Sequence, residues 1–237
     1  MINIYKKIYI HPLYYLFLLI VLLTANIRPF IEFSIIILTH ELGHIITALI
    51  LKWRISKIVI LPYGMITFFS NSLSKPIIQE LLILIMGPLT QLIFNIYFKS
   101  TYSNIILFIN LLPIYPLDGS KIVFLFFNKV TTYYKSYIYT YLISFITIIY
   151  LFLNYHSMLI ILMLIYLLYH LIDYLYHLNE TIISFCYERF KTKFYTTKYL
   201  IINGPNIKLM HRDRYHFFKI NKKCVKEADF MLKMFDK

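Results

Sequence analysis

The sequence is poor in charged residues, which make up 15% of its 237 positions, whereas hydrophobic residues make up 59%. A soluble domain of this length lacks the core volume to bury so many apolar side chains, and it needs more charges to cover its surface. Acidic residues are the scarcest, since 11 Asp and Glu stand against 24 Lys and Arg. This composition excludes an ordinary soluble domain and predicts a membrane protein with several spans.

Cysteine is also nearly absent. The chain has two cysteines, Cys186 and Cys224, and both fall on the side that we predict to face the cytoplasm. We therefore expect no structural disulfide and no cysteine-based zinc motif. A small-x-small cleavage site is likewise missing after the first apolar run, which predicts a retained span rather than a cleaved signal peptide.

Apolar runs long enough to cross a bilayer recur from the N-terminus to about residue 178. They predict an all-α membrane protein with six transmembrane helices. The predicted spans cover residues 8–26, 30–51, 77–97, 102–118, 135–153 and 157–178. If the N-terminus is inside, 22 Lys and Arg fall on inner segments and 2 on outer segments. This positive-inside distribution predicts that both termini are cytoplasmic.

Two segments interrupt the helical pattern. The first, residues 57–69, has β-branched and aromatic residues on both sides of Pro62, and it predicts a short strand-like hairpin or re-entrant segment. The second is "NLLPIYPLDGS" at 110–120, where Pro113 and Pro116 remove backbone donors. These prolines should kink or end the fourth predicted span.

The predicted organisation is a six-span core at residues 1–178, followed by a small basic cytoplasmic tail at residues 179–237. A basic surplus can indicate nucleic acid, but its distribution here favours anionic lipid head groups or an acidic partner. We expect no nucleic acid partner. Within the tail, Arg212, Arg214 and His216 are expected to be solvated surface residues.

The second predicted span carries the motif "HELGH" at residues 40–44. In a helix, His40 and His44 are one turn apart on the same face, so both imidazoles can reach one metal ion. Glu41 is adjacent, where it can take a proton from a metal-bound water. The motif predicts a catalytic zinc site; the alternative is three hydrogen-bonded polar groups packed between spans.

A catalytic zinc ion needs a third protein ligand and an open position for water. Asp118 is the candidate, because its predicted span runs in the same direction as that of the histidines and both sites fall in the cytoplasmic half of the bilayer. The alternative is a helix-ending Asp-Gly turn at the membrane surface. A second group, His170, Asp173 and His177, shares one helical face, and we expect it to be solvated or ion-paired rather than metal-binding.

Three motifs together carry a family resemblance: "HELGH", then "MGPLTQ" at 86–91, then "NLLPIYPLDG" in a later span. In this order they resemble the site-2 proteases, which are intramembrane zinc metalloproteases. The resemblance covers roughly residues 1–180 and is greatest to the sporulation branch, which processes pro-sigma-K in endospore formers. It implies the following zinc ligands: His40, His44 and Asp118. It also implies that Glu41 is the catalytic base and that the substrate backbone is held near the metal by Asn110, Pro113 and Pro116.

Two residues depart from the family pattern. Ser120 stands where a second glycine is common, and Gln91 stands where an asparagine often follows Gly-Pro-Leu-x. We expect neither side chain to touch a metal ligand. The tail is too short for the nucleotide-sensing CBS pair of the sporulation branch, so regulation by ATP is not expected.

The resemblance therefore implies a zinc metalloendopeptidase that cleaves a membrane-associated substrate near the cytoplasmic face, with a pro-sigma factor as the expected substrate. Alternatives are a site-2 protease acting on an anti-sigma factor or on signal-peptide remnants, and a non-catalytic transporter or scaffold. A membrane inhibitor or regulatory partner is a further expectation. The expected location is a bacterial cell membrane, in particular the outer forespore membrane facing the mother cell.

Overall fold

The computed structural model describes residues 8–25, 27–61, 64–70, 72–191, 198–220 and 223–235. Pro62, on which part of the hairpin prediction rests, lies outside these ranges. The chain divides into two units. One comprises Met1–Ser72 and Ile78–Asn110, and the other comprises Leu73–Ile77 and Leu111–Lys237.

The first unit combines apolar helices with one small sheet. Its helices are α1 (Pro12–Leu23), α2 (Ile27–Ile50), α3 (Ile77–Phe98, of which Ile77 belongs to the second unit) and α4 (Thr101–Asn110). Its strands are β1 (Ile8–Ile10), β2 (Arg54–Leu61) and β3 (Gly64–Ser70). The long helix α2 ends where Lys52 takes a left-handed φ of 58° and the amide of Trp53 bonds the carbonyl of Ala48 at 2.8 Å.

The sheet has β2 at its centre, with β1 parallel on one side and β3 antiparallel on the other. Val59 pairs with both Tyr9 and Ile66. The hairpin predicted at 57–69 is thus confirmed, and it is longer than predicted. The all-α prediction is wrong on this point, because a short apolar strand and the start of a span have the same hydropathy.

The second unit begins with helices and ends with a second sheet. Its helices are α5 (Asp118–Val130), α6 (Tyr133–Asn154), α7 (Met158–Tyr176), α8 (Leu178–Lys191) and α9 (Glu227–Phe235). Its strands are β4 (Tyr199–Asn203), β5 (Tyr215–Ile220) and β6 (Lys223–Lys226). In this sheet β5 is central, parallel to β4 and antiparallel to β6.

Three of the described helices, α2, α3 and α6, are long and apolar enough to cross a membrane. A fourth span results if α7 and α8, which meet at a bend of 56°, act together. The helices α1 and α4 have 12 and 10 residues. At ~1.5 Å per residue, neither reaches across a hydrocarbon layer of ~30 Å. An integral membrane protein is therefore indicated, whereas the count of six spans is not confirmed.

The C-terminal residues form a folded layer rather than an extended tail. One face of the second sheet packs against α8 and α9. This core consists of Tyr133, Phe185, Cys186, Ile202, Met210, Phe218 and Met231. A separate core joins the helices α6 and α7, through Ile114, Ile148, Leu164, Leu167 and Leu171. Both cores are formed within the second unit.

A buried ion network lies inside this C-terminal layer. The carboxylate of Glu227 accepts hydrogen bonds from Nε of Arg189 at 2.6 Å, from Nδ1 of His216 at 2.9 Å and from the amide of His216 at 2.9 Å. Burial by itself would raise the pKa of Glu227, but the bonds from His216 and Arg189 outweigh it and hold the pKa below its ordinary value. The carboxylate therefore stays ionised inside the layer.

The expectation of surface residues is wrong for two positions in this layer. Arg212 is 1% exposed and donates from Nε and Nη2 to the carbonyls of Leu73 and Lys75, each at 3.2 Å. His216 is fully buried between Glu227 and the amide of His211, which donates to its Nε2 at 2.9 Å. A basic composition could not indicate this, because the acceptors are distant backbone carbonyls and one carboxylate.

We expect Glu227→Gln to destabilise the C-terminal layer by about 3 kcal/mol, because it leaves the buried Arg189 without its counter-charge. Since the folded pKa of Glu227 is lowered, its stabilisation is complete above the ordinary value of 4.5 and is lost as the pH falls through the folded pKa. Amide exchange of β5 in the full-length chain measures this. The control Asp229→Asn changes an exposed carboxylate on the same helix turn and should leave exchange unchanged. Equal exchange in both variants would contradict the assignment.

Candidate metal centre

The helix α2 places the two histidines of the "HELGH" motif on one face. His40 and His44 are 2% and 7% exposed, and their Nε2 atoms lie 3.1 Å apart. Glu41, the next residue on the helix, is half-buried. The i,i+4 spacing of a helix therefore brings the two imidazoles together, as predicted from the sequence.

Hydrogen bonds at Nδ1 determine the tautomer of each ring. Nδ1 of His44 lies 2.7 Å from the carbonyl oxygen of Ile83, which can only accept, so this nitrogen carries the proton. Nδ1 of His40 lies 2.8 Å from Oε1 of Gln91. The amide nitrogen of Gln91 donates to the carbonyl of Ser103 at 2.8 Å, which fixes the orientation of the amide with its oxygen toward His40. Both Nδ1 atoms are therefore donors.

With Nδ1 as the donor, Nε2 is the atom of each ring that can bind a metal ion. The two Nε2 atoms lie 3.1 Å apart, so both can reach one cation. Nitrogens that bind zinc tetrahedrally at ~2.0–2.1 Å lie ~3.3 Å from each other. Metal-bound histidines also commonly donate their other N–H to a carbonyl oxygen, as both rings do here. The histidine pair fits a zinc ion.

Two glycines permit the close approach of α2 and α3. A Cβ at Gly87 would overlap the imidazole of His44, and a Cβ at Gly43 would overlap the hydroxyl of Thr90 and the carbonyl of Met86. The Thr90 hydroxyl lies 3.2 Å from the carbonyl oxygen of Thr39 and bridges the same helix pair. The glycine of the "MGPLTQ" motif is therefore required so that His44 can occupy its position.

Asp118 is the first residue of α5 in the second unit and is 7% exposed. Its carboxylate accepts a hydrogen bond from Nζ of Lys121 at 2.8 Å. Asn110 ends α4, and Pro113 and Pro116 lie in the non-helical residues that follow it. The structure thus brings His40 and His44 together within the first unit, whereas ligation by Asp118 and the substrate contacts of the other three residues stay predictions.

The expectation that Gln91 touches no predicted metal ligand is wrong, because its amide oxygen accepts a hydrogen bond from Nδ1 of His40. Gln91 is fully buried, and its amide links α2 to α4. The only signal in the sequence was an amide side chain within an apolar helix. Ser120 instead donates to the carbonyl of Leu117 at 2.7 Å, within the first turn of its own helix.

The second polar group lies at the end of α7. Nδ1 of His177 is 3.2 Å from the carboxylate of Asp173, and both side chains are about half exposed. The ring of His170 packs edge-on against Tyr166 and Tyr169. The residues therefore have different surroundings, with an exposed ion pair at one end and an aromatic contact at the other.

Comparisons with known proteins agree with the motifs. The sequence profile of peptidase family M50 matches residues 29–103, a segment that contains His40, Glu41 and His44. Stage IV sporulation protein FB of Bacillus subtilis (strain 168) is 32% identical over 148 residues, which cover 55% of this chain and 51% of the relative. This chain thus matches about half the length of that relative. The resemblance drawn from the sequence is confirmed.

Among solved structures, the chain is similar to a site-2 protease from Methanocaldococcus jannaschii. The alignment covers 73% of this chain and 89% of that one, with 24% sequence identity and a TM-score of 0.48.

Gln91→Leu should raise the dissociation constant for zinc about 10–100-fold, because His40 loses the acceptor that orients its ring. The measurement is competition with a chelator of known affinity, using the full-length protein in detergent. Asn95→Leu is the matched control, since Asn95 also joins α3 to α4, through Asn104 at 2.7 Å, and has no bond to a histidine in the described contacts. An equal loss of zinc affinity in both variants would show that the affinity depends on helix packing and not on the orientation of the His40 ring.

Proposed function

We propose that this chain is an intramembrane zinc metalloendopeptidase that hydrolyses a peptide bond in a membrane-associated protein, and the match of residues 29–103 to the profile of peptidase family M50 supports this. The observation that carries the proposal is the histidine pair of α2, whose Nδ1 atoms are both donors and whose Nε2 atoms converge at 3.1 Å. In this geometry both Nε2 atoms can reach one metal ion.

His40, His44 and Asp118 would hold the zinc ion. The two histidines lie together in the first unit, and the family resemblance implies Asp118 as the third ligand. Two imidazoles and one carboxylate are a ligand set of catalytic zinc sites, which keep a further position open for water. All three side chains are buried, which restricts access of bulk water to them.

Glu41 is the proposed general base and acid. A bound zinc ion would lower the pKa of its water and polarise the scissile carbonyl. Glu41 would take the proton of the attacking water and then deliver it to the leaving amine. Glu41 directly follows His40, which is the position of the general base in the H-E-x-x-H motif.

The hairpin β2–β3 is the proposed holding site for the substrate backbone. A helical substrate must be extended before attack, because its carbonyls are otherwise bonded within the helix. In the sheet order β1–β2–β3, the strand β3 lies at an edge and can accept an added strand by main-chain hydrogen bonds. Asn110, Pro113 and Pro116 would contribute further contacts near the metal, as the family resemblance implies.

The proposed substrate is a pro-sigma factor of the pro-sigma-K type, cleaved near the cytoplasmic face. The identity to a stage IV sporulation protein supports a sporulation role. We further propose cytoplasmic termini, a location in the outer forespore membrane, a membrane inhibitor as regulatory partner, and contacts of basic C-terminal residues with anionic lipids. An anti-sigma factor or a signal-peptide remnant is the alternative substrate class.

Co-expression of the chain with a candidate pro-sigma factor tests the activity. Glu41→Gln should retain one zinc ion per chain, because it leaves the proposed zinc ligands unchanged. Its cleavage rate should fall at least about 100-fold, because the variant has lost the carboxylate that carries the proton. Glu32→Gln is the matched control, since Glu32 lies on the same helix and accepts instead from the hydroxyl of Ser100 at 2.5 Å.

Three outcomes would contradict parts of this proposal. If Glu41→Gln keeps zinc and still cleaves, the assigned base is wrong. If the wild type cleaves only a different membrane substrate, the sporulation role is wrong and the protease activity stands. A wild-type chain without stoichiometric zinc would favour a transporter or scaffold.

Val59→Pro should reduce cleavage about tenfold or more while leaving zinc content unchanged, because proline removes a ladder donor in the central strand of the first sheet. Val59→Thr, which keeps a β-branched strand residue, is the control and should cleave normally. Cleavage of the pro-sigma factor and bound zinc are measured on the same preparations. Unchanged cleavage by the proline variant would count against a role of the sheet in holding substrate.

A further inference from the structure

Residues 111–117 form a non-helical connection between α4 and α5, and this connection is an unusual structure for a membrane-embedded chain. Pro113 and Pro116 have no N–H to donate, and they prevent a continuous helix. Irregular backbone at membrane depth persists only where the protein itself satisfies the peptide groups. The partners of these peptide groups therefore determine where Asp118, the first residue of α5, is located.

Three residues between Pro113 and the start of α5 have a backbone N–H, and each of the three amides has an acceptor. The amide of Ile114 bonds the carbonyl of Leu112 and the amide of Leu117 bonds the carbonyl of Ile114, each at 2.8 Å. The amide of Tyr115 instead bonds the side-chain oxygen of Ser144 at 3.2 Å. It is the one of these three amides whose acceptor comes from outside the connection.

Ser144 contacts the connection twice. Its hydroxyl donates to the carbonyl of Pro113 at 3.0 Å and accepts from the amide of Tyr115 at 3.2 Å. The residue is fully buried on α6, one of the helices that are long and apolar enough to span a membrane. One hydroxyl thus satisfies a carbonyl and an amide on either side of the buried Ile114.

Packing of Ile114 against α6 holds the connection next to the hydroxyl of Ser144. Ile114 is fully buried in a core that includes Ile148, which lies one turn after Ser144 on the same face of α6. At the other end, a Cβ at Gly119 would overlap the carbonyls of Leu111 and Leu112, so the first turn of α5 lies directly against the connection. A shift of the connection would therefore shift the start of α5.

We propose that Ser144 is a positioning residue of the protease: it fixes the connection at residues 111–117 and thereby the location of Asp118 at the start of α5. This inference rests on the proposed function, in which Asp118 is the third zinc ligand. Ser144 itself touches neither metal nor substrate in this scheme. Its hydroxyl acts through the two backbone groups that it bonds.

Four variants of the full-length chain in detergent test the proposal. Ser144→Ala removes the hydroxyl. Ser144→Thr and Ser144→Val have the same shape and differ in the hydroxyl alone, so they separate the hydrogen bonds from the volume. Thr140→Val is the matched control, because Thr140 is also buried, lies one turn earlier, and donates from its hydroxyl to the carbonyl of Ser136 on its own helix at 2.8 Å.

Four quantities are measured on each variant: the amide exchange rate of the peptide containing residues 111–118, the zinc dissociation constant, and kcat and KM for cleavage of the pro-sigma factor. We expect Ser144→Ala and Ser144→Val to raise the exchange rate roughly tenfold, because a buried amide and carbonyl lose their partner. The zinc dissociation constant should rise about 10–100-fold. The kcat should fall by a similar factor with KM nearly unchanged, while Ser144→Thr and Thr140→Val stay near the wild type.

The outcomes separate this proposal from the proposed function. Wild-type exchange in Ser144→Ala would overturn the contact itself. Faster exchange with wild-type zinc affinity and kcat would overturn the positioning of Asp118 and leave the protease proposal intact. An equal loss of zinc affinity and kcat in Thr140→Val would show that helix packing causes the effect, and it would overturn the assignment of Ser144 as a positioning residue. A wild-type chain that neither binds zinc nor cleaves would overturn the proposed function and this inference together.

Discussion

A polar group inside an apolar environment must find its partner within the protein, because lipid offers none. The candidate metal centre depends on this constraint. Nδ1 of His44 donates a hydrogen bond to the carbonyl of Ile83, and Nδ1 of His40 donates to Oε1 of Gln91, whose amide is in turn oriented by the carbonyl of Ser103. Because these oxygens bond both Nδ1 atoms, the two Nε2 atoms are directed toward each other, 3.1 Å apart. The proposed binding of a metal by the pair thus depends on how the neighbouring helices satisfy the histidines.

The same constraint governs the second unit. Its connection between α4 and α5 relies on the hydroxyl of Ser144, and its C-terminal layer relies on the bonds from Arg189 and His216 to Glu227. A buried charge without such bonds would cost several kcal/mol and would be neutralised instead. The basic C-terminal residues are therefore partly structural, since some of their charge closes an interior network rather than facing the solvent.

Much of the architecture could be predicted from local patterns. The hairpin was recognised from its β-branched and aromatic run, and the pairing of His40 with His44 from the period of a helix. The number of six spans is not confirmed, because hydropathy measures how apolar a run is and not whether it forms one straight helix. Residues 8–26, predicted as one span, instead contain a strand, Ile8–Ile10, followed by a helix of 12 residues. Arg212 and His216 were misplaced on the surface because composition describes a segment, whereas burial depends on what packs against it.

The sequence by itself determined the membrane class, the helix that carries the histidines and the chemistry these residues can perform, since each depends on residue types at short spacing. Only the tertiary structure decided which atoms orient them. Gln91 lies 51 residues from His40, Ile83 lies 39 residues from His44, and Glu227 lies 38 residues from Arg189. No periodicity relates positions so far apart. Their contacts exist because helices and strands pack in three dimensions, where the requirement to satisfy each buried polar group selects one arrangement.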